Sequence, residues 1–120
     1  MKLNDEQKKD LIERYKKVVN DFKGHTRFPF ILLEMMELHS SKSNDYATDE
    51  SPFSNIELCE RAGVPAWKGV VIRLGDKYSR LCQLARKGEA EVKDETFEDT
   101  CLDLAVYALI LRMLKGEKNE

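Results

Sequence analysis

The chain has 120 residues, 42% of them hydrophobic and 35% charged, with a net charge of −2. That length predicts one domain with a real core, and the composition predicts a soluble, helix-rich globule. With no basic excess or basic run, the chain has no field to recruit polymeric nucleic acid. The N-terminal MKLNDEQKKD lacks the apolar core of a signal peptide, and no apolar run reaches membrane-spanning length, so a cytoplasmic protein without membrane contact is expected.

In chain order, Asn4 with Gln7 forms a capping box that opens a helix running to about Phe22 and closed by Gly24. Leu11, Tyr15, Val18, Val19 and Phe22 repeat at helical spacing, which marks a scaffold helix over the first 27 residues. The second helix starts at Arg27-Phe28-Pro29, with Pro29 suited to a first turn, and runs to about Ser40. Phe30, Glu34, Glu37, Leu38 and Ser41 share one arc of roughly 80°, which places two acids on an otherwise apolar face.

Residues 40–54 read as a long polar connection broken by Pro52, and connections of that length are often functional. Lys42, Asn44, Asp45 and Tyr46 fall within five residues of one another and suit a polar ligand; they equally suit a solvated loop. Ser54 with Glu57 is a second capping box, leading into a short helix that Gly63 ends. Pro65 then restarts helix formation over 66–86. Val70, Leu74, Tyr78, Leu81 and Leu84 form its apolar face. Gly69 and Gly75 inside it each cost about 1 kcal/mol relative to Ala, a cost that close packing or a nearby ligand would justify. Residues 87–95 form a charged connector, Thr96 with Asp99 caps a last helix over 96–114, and the tail beyond it is loose. The architecture expected is all-α: a helical bundle of four main helices and one short one, with its functional core at 28–114.

Three constellations could carry chemistry. Asp99 and Asp103 fall within roughly 40° of each other on the last helix, along the arc of Val106, Ile110 and Met113. Carboxylates on a core-facing arc need a cation, because an uncompensated buried charge costs several kcal/mol. Pairing that face with Glu34 and Glu37 would gather four oxygen donors, a set suited to Mg²⁺ or Mn²⁺ rather than zinc. Arg73, Lys77 and Arg80 lie within roughly 60° of arc and make a cationic stripe that fits phosphate, or else i,i+4 pairing with acids. Tyr46, Phe53 and Trp67 could each stack a nucleobase, and Trp67 equally suits a packing anchor. Cys59, Cys82 and Cys101 fit no paired zinc spacing and are expected as reduced, packed thiols. His25 and His39 lack triad partners, and no nucleophile elbow or phosphate-cradling glycine loop is present.

Glu34-x-x-Glu37, Lys42-x-x-Asp45-Tyr46, Arg73-x-x-Asp76-Lys77-x-x-Arg80-Leu81 and Glu98-Asp99-Thr100-x-x-Asp103-Leu104-Ala105-x-Tyr107-Ala108 together resemble the phage and bacterial nucleotide-modification-associated family. That family is similar to the all-α nucleotide pyrophosphohydrolases of the MazG-like superfamily. The resemblance spans residues 30–114, and the EDTCLDLAVYA run is its most specific part. It implies a MazG-like helical bundle, a homo-oligomer, and Mg²⁺ held by acids from two helices. A metal-activated water would then cleave a nucleoside triphosphate to monophosphate and pyrophosphate. On that likeness Glu34, Glu37, Asp99 and Asp103 hold metal, while Glu37 or Glu98 orients the water. Lys42, Arg73, Lys77 and Arg80 grip phosphates, with Asp45, Tyr46 and Trp67 at the nucleotide. Leu33 stands where the family has the first acid of its pair, and Thr100 where it has a glutamate; Asp99 or Glu98 is the substitute. The function expected is a Mg²⁺-dependent pyrophosphohydrolase acting on a free (deoxy)nucleotide in bacterial or host cytoplasm. The alternatives are a non-catalytic nucleotide binder, such as a phage counter-defence protein, and a helical interaction module.

Overall fold

The computed structural model describes the backbone of residues 1–46, 56–87 and 96–118, and their side chains apart from 44–46 and 117–118. Every regular element among the described residues is helical. The order is α1 (Asp5–Asn20), α2 (Phe28–Tyr46), a 3₁₀ helix (Glu57–Ala62), α3 (Ala66–Lys87) and α4 (Phe97–Lys118). The chain divides into two compact units, Met1–Pro52 and Phe53–Glu120.

In the first unit, the Asn4 side chain accepts from the Gln7 amide at 2.8 Å and the Gln7 side chain accepts from the Asn4 amide at 3.0 Å. This is the expected capping box, and it satisfies two donors that the first turn of a helix leaves unpaired. The apolar stripe of α1 is not buried: Tyr15, Val18 and Val19 are exposed and Leu11 is half-buried. Tyr15 Oη donates to Met36 Sδ at 3.1 Å, and the Phe22 and Phe28 rings stack 6.3 Å apart across the turn between the helices.

Helix α2 outlasts its predicted end at Ser40 by six residues, so Lys42, Asn44, Asp45 and Tyr46 are helical rather than part of a loop. No Gly or Pro stands between Ser40 and Pro52 to stop the helix, and Ser, Asn and Asp only weaken it. Glu34 and Glu37 also depart from expectation, since both are exposed while Leu32, Met35, Leu38 and His39 are half-buried. Apolar residues occur on every side of α2, so periodicity alone does not single out its inner face. Phe53 and the Ser54 cap lie outside the described residues. The 3₁₀ helix has Ile56 at its N-cap without a side-chain cap.

In the second unit, Gly63 takes φ +81° and ends the 3₁₀ helix, donating its amide to Glu60 O at 3.0 Å. A left-handed residue here favours glycine because a Cβ would clash with its own backbone. Pro65 O then accepts the Lys68 and Gly69 amides of the first turn of α3. A Cβ on Gly69 would stand 2.8 Å from Cys59 Sγ, so this glycine is the close approach of α3 to the 3₁₀ helix. Gly75 has open space around it and shows no such reason. Thr96 caps α4, its Oγ1 accepting the Asp99 amide at 3.0 Å. The last helix runs four residues past its predicted end at Leu114.

Helices α3 and α4 pack against each other. Ile56, Ala66, Val70, Ile110 and Leu114 form the buried cluster, with Trp67, Val106, Tyr107 and Leu111 packed against it. Burying a side chain such as Val70, Ile110 or Leu114 contributes roughly 1.5–3 kcal/mol, which makes this seam the principal source of stability in the unit. Tyr78, assigned to the apolar face of α3, is exposed, as is Met113 on α4.

Candidate functional site

The seam between α3 and α4 carries charge in its middle. On α4, Thr100, Asp103, Tyr107, Ile110 and Leu114 fall within about 80° of arc, and they include the three buried side chains among its described residues. On α3, Ala66, Val70, Arg73, Lys77, Arg80 and Leu84 fall within a similar arc of about 80°. The cationic stripe therefore runs along the packing stripe, with Lys77 half-buried and Arg73 and Arg80 exposed at its edge. Of the apolar face expected on α3, Val70 and Leu84 are buried, Leu74 and Leu81 half-buried and Tyr78 exposed.

Two cross-seam contacts follow from that register. Lys77 Nζ lies 3.1 Å from Asp103 Oδ2, as both an ion pair and a hydrogen bond. One turn along, Arg73 Nη1 donates to Tyr107 Oη at 3.4 Å. Partner numbers fall on α4 as they rise on α3, so the helices run antiparallel. The Asp103 side chain is 16% exposed and that of Lys77 29%, so the pair is shielded and less screened by salt than a surface pair. Asp103 thus points into the seam, as its position in the arc predicts, and the cation beside it is an ammonium.

Thr100 is fully buried, and its hydroxyl donates to Thr96 O at 3.1 Å. Thr100 is therefore part of the core. Glu98 and Asp99 are exposed on the first turn of α4, where carboxylates complement the helix dipole. Glu34, Glu37 and Lys42 are exposed on α2, in the first unit, and the side chains of Asp45 and Tyr46 lie outside the described ones. Among the described residues, no three His, Cys, Asp or Glu side chains form a group able to hold a metal ion unaided.

Beside the pair is an open cleft of about 300 Å³ lined by Asp76, Lys77, Ser79, Arg80 and Gln83. Two of these residues are cations, two carry neutral hydrogen-bonding groups and one is an acid. Such a lining suits an anion with several oxygen acceptors. Ser79, Gln83 and the Tyr107 hydroxyl were not anticipated as site residues. The signal that could have found Ser79 and Gln83 is their place at i+3 and i+7 from Asp76 on α3, and for Tyr107 its place at i+4 from Asp103 on α4.

Trp67 is occupied. It packs on the buried cluster, and Lys115 Nζ stands over its ring, 4.2 Å from the centroid, with Lys68 Nζ at 5.5 Å. This indole is a packing anchor with a cation–π contact, so the face under Lys115 is closed to a nucleobase. Cys59 Sγ donates to Ile56 O at 3.5 Å, and all three cysteines are half-buried free thiols. No described helix is long and apolar enough to cross a membrane.

No protein-family model, curated protein or solved structure matches the chain.

Proposed function

We propose that this chain binds a free (deoxy)nucleotide as its Mg²⁺ complex and hydrolyses it to the monophosphate and pyrophosphate. The observation that carries this proposal is that Lys77 belongs at once to the Asp103 ion pair and to the polar cleft. A carboxylate and a phosphate-binding cation there adjoin a space open to ligand. The donor set fits the metal, because Mg²⁺ is usually bound through one or two carboxylates plus substrate phosphates rather than by an all-protein cage. Asp103, with Asp99 one turn before it, would supply those carboxylates. Lys77 and Arg80, joined by Arg73, would bind phosphate oxygens, Arg as a fork and Lys as a point charge. Glu98, exposed and about 140° around α4 from Asp103, enters as the water-orienting acid through the family resemblance alone. Glu34, Glu37, Lys42, Asp45 and Tyr46 enter through the sequence pattern and the family resemblance. When bound, Mg²⁺ or Mn²⁺ lowers the pKa of a coordinated water and neutralises charge on the phosphates.

Incubation with each common ribo- and deoxyribonucleoside triphosphate and Mg²⁺ should release pyrophosphate from at least one, and Asp103→Asn should abolish that release. Absence of both turnover and binding across the set would overturn the proposal and leave Lys77–Asp103 as a structural pair in a helical interaction module.

A second reading, a nucleotide binder without turnover, has its own observation in favour: Thr100 is buried where the family has a glutamate. Calorimetric binding without pyrophosphate release selects it, and Asp103→Asn would then spare binding. A homo-oligomer belongs to the same proposal, since Ile12, Val18 and Val19 on α1 and Phe30 and Leu33 on α2 are exposed apolar side chains that self-association would cover. Sedimentation velocity over a dilution series should show a species heavier than one chain.

A further inference from the structure

Resting on the self-association in that reading and not on the nucleotide, we propose that two copies of the chain dock through one face of the α1–α2 hairpin, with α1 of each copy lying on α2 of the other. The first unit is a pair of helices without a core, since none of its described side chains is buried. Helix α2 is apolar on every side, the pattern of an enclosed helix, and one partner helix cannot enclose it. Four helices can, and two hairpins supply four. Ile12, Tyr15, Val19, Leu33 and Met36 together expose roughly 500 Å². With bordering polar atoms, that matches the about 800 Å² that each partner gives to a stable interface, a little over half of it apolar.

Geometry and charge select the face and its orientation. The contacts Tyr15–Met36 and Phe22–Phe28 run in opposite directions along the two helices, so the hairpin is antiparallel. Ile12 and Val19 turn to one side of that seam, within about 20° of each other, and Lys16 lies about 40° beyond Ile12. In an antiparallel pair the same side of α2 presents Met36 and Leu33, with Glu37 about 40° beyond Leu33. All six side chains are exposed, and neither Lys16 nor Glu37 makes an ion pair among the described residues. The face is thus apolar in the middle, with a cation on its α1 border and an anion on its α2 border. A twofold axis along the helices lays α1 on the partner's α2 and keeps their levels. Lys16 then comes within one turn of the partner's Glu37, and Val19 within one turn of the partner's Leu33. An axis across the helices would instead stack α1 on α1 and bring the Lys9 and Lys16 borders together, like charge on like.

The test is sedimentation equilibrium of the full chain without nucleotide, so its result does not depend on whether the chain binds or hydrolyses one. Wild type should reach twice the mass of one chain. Ile12→Glu and Leu33→Glu should each weaken the dimer at least about tenfold, because each places two charges in the interface. Ile72→Glu, at an equally exposed apolar side chain of the second unit, should leave it unchanged. Lys16→Glu alone and Glu37→Lys alone should each weaken it at least about threefold, and an equimolar mixture of the two variants should recover the wild-type affinity as a heterodimer. If circular dichroism shows that L33E does not fold, I12E and the charge variants carry the test. A wild-type chain that stays single at every concentration overturns both this inference and the homo-oligomer. A dimer that I12E and L33E leave intact overturns the inference alone and gives this face to the second unit of the same chain or to another protein. Failure of the mixed charge variants to recover affinity overturns the α1-on-α2 orientation.

Discussion

Thr100 and Gly69 each hold a place that another residue would disrupt. Thr100 is 0% exposed, with its hydroxyl bonded to Thr96 O. Thr100→Glu, which installs the acid of the resembling family, would bury a charge in the seam and should cost about 3 kcal/mol or more in urea unfolding. Thr100→Val, similar in shape, loses one hydrogen bond and should cost only about 1 kcal/mol. Equal stability of T100E and wild type would mean that this position is open to solvent in solution. The two α3 glycines separate in the same way. Gly69→Ala drives a Cβ to 2.8 Å from Cys59 Sγ and should destabilise by roughly 1–3 kcal/mol, partly relieved by Cys59→Ala. Gly75→Ala has open space and should stabilise by about 0.5–1 kcal/mol through helix propensity. If Gly69→Ala raises the urea midpoint or leaves it unchanged, the close approach of α3 to the 3₁₀ helix is refuted.

At the scale of elements, α4 depends on its cap and on its seam to different degrees. Thr96 satisfies the Asp99 amide, so Thr96→Ala should cost about 1 kcal/mol, the usual value of an N-cap. Leu114, 1% exposed in the buried cluster, should cost roughly 2–5 kcal/mol on truncation to Ala, through lost transfer energy and the cavity left behind. Denaturant midpoints of the two variants should therefore differ clearly, and the reverse order would show that α4 is held by its end rather than by α3. The capping box of α1 also shows where a local signal succeeds. Asn4 and Gln7 sit three residues apart and bond as their spacing requires, whereas the extension of α2 to Tyr46 had no local signal beyond the lack of a helix breaker.

For the whole molecule, a nucleotide that binds the folded chain must raise its stability by mass action. With Mg²⁺ and nucleotide at about a hundred times Kd, the gain should be roughly 2.7 kcal/mol, seen as a higher Tm. Asp103→Asn with Lys77→Gln should remove the Mg²⁺-dependent part of that shift. An unchanged Tm with every common nucleotide would count against any nucleotide ligand at the cleft. The Lys77–Asp103 pair itself should show coupling in a double-mutant cycle, because each side chain is shielded and neither loses its partner without cost.

The all-α architecture and the approximate places of its helices were determined by the sequence, because caps, breakers and 3.6-residue periodicity act over a few residues. Asp103 was legible as a core-facing acid for the same reason, since its angle on α4 follows from counting. What only the tertiary structure decided is which cation answers it. Arg73, Lys77 and Arg80 read as a stripe for phosphate or for i,i+4 pairing with acids. In the structure Lys77 is half-buried, Arg73 and Arg80 are exposed, and the antiparallel register puts Lys77 opposite Asp103 and Arg73 opposite Tyr107. Register between two helices depends on how their buried side chains interlock, here Val70, Ile110 and Leu114 with Trp67 and Tyr107 around them. No spacing within either helix contains that information.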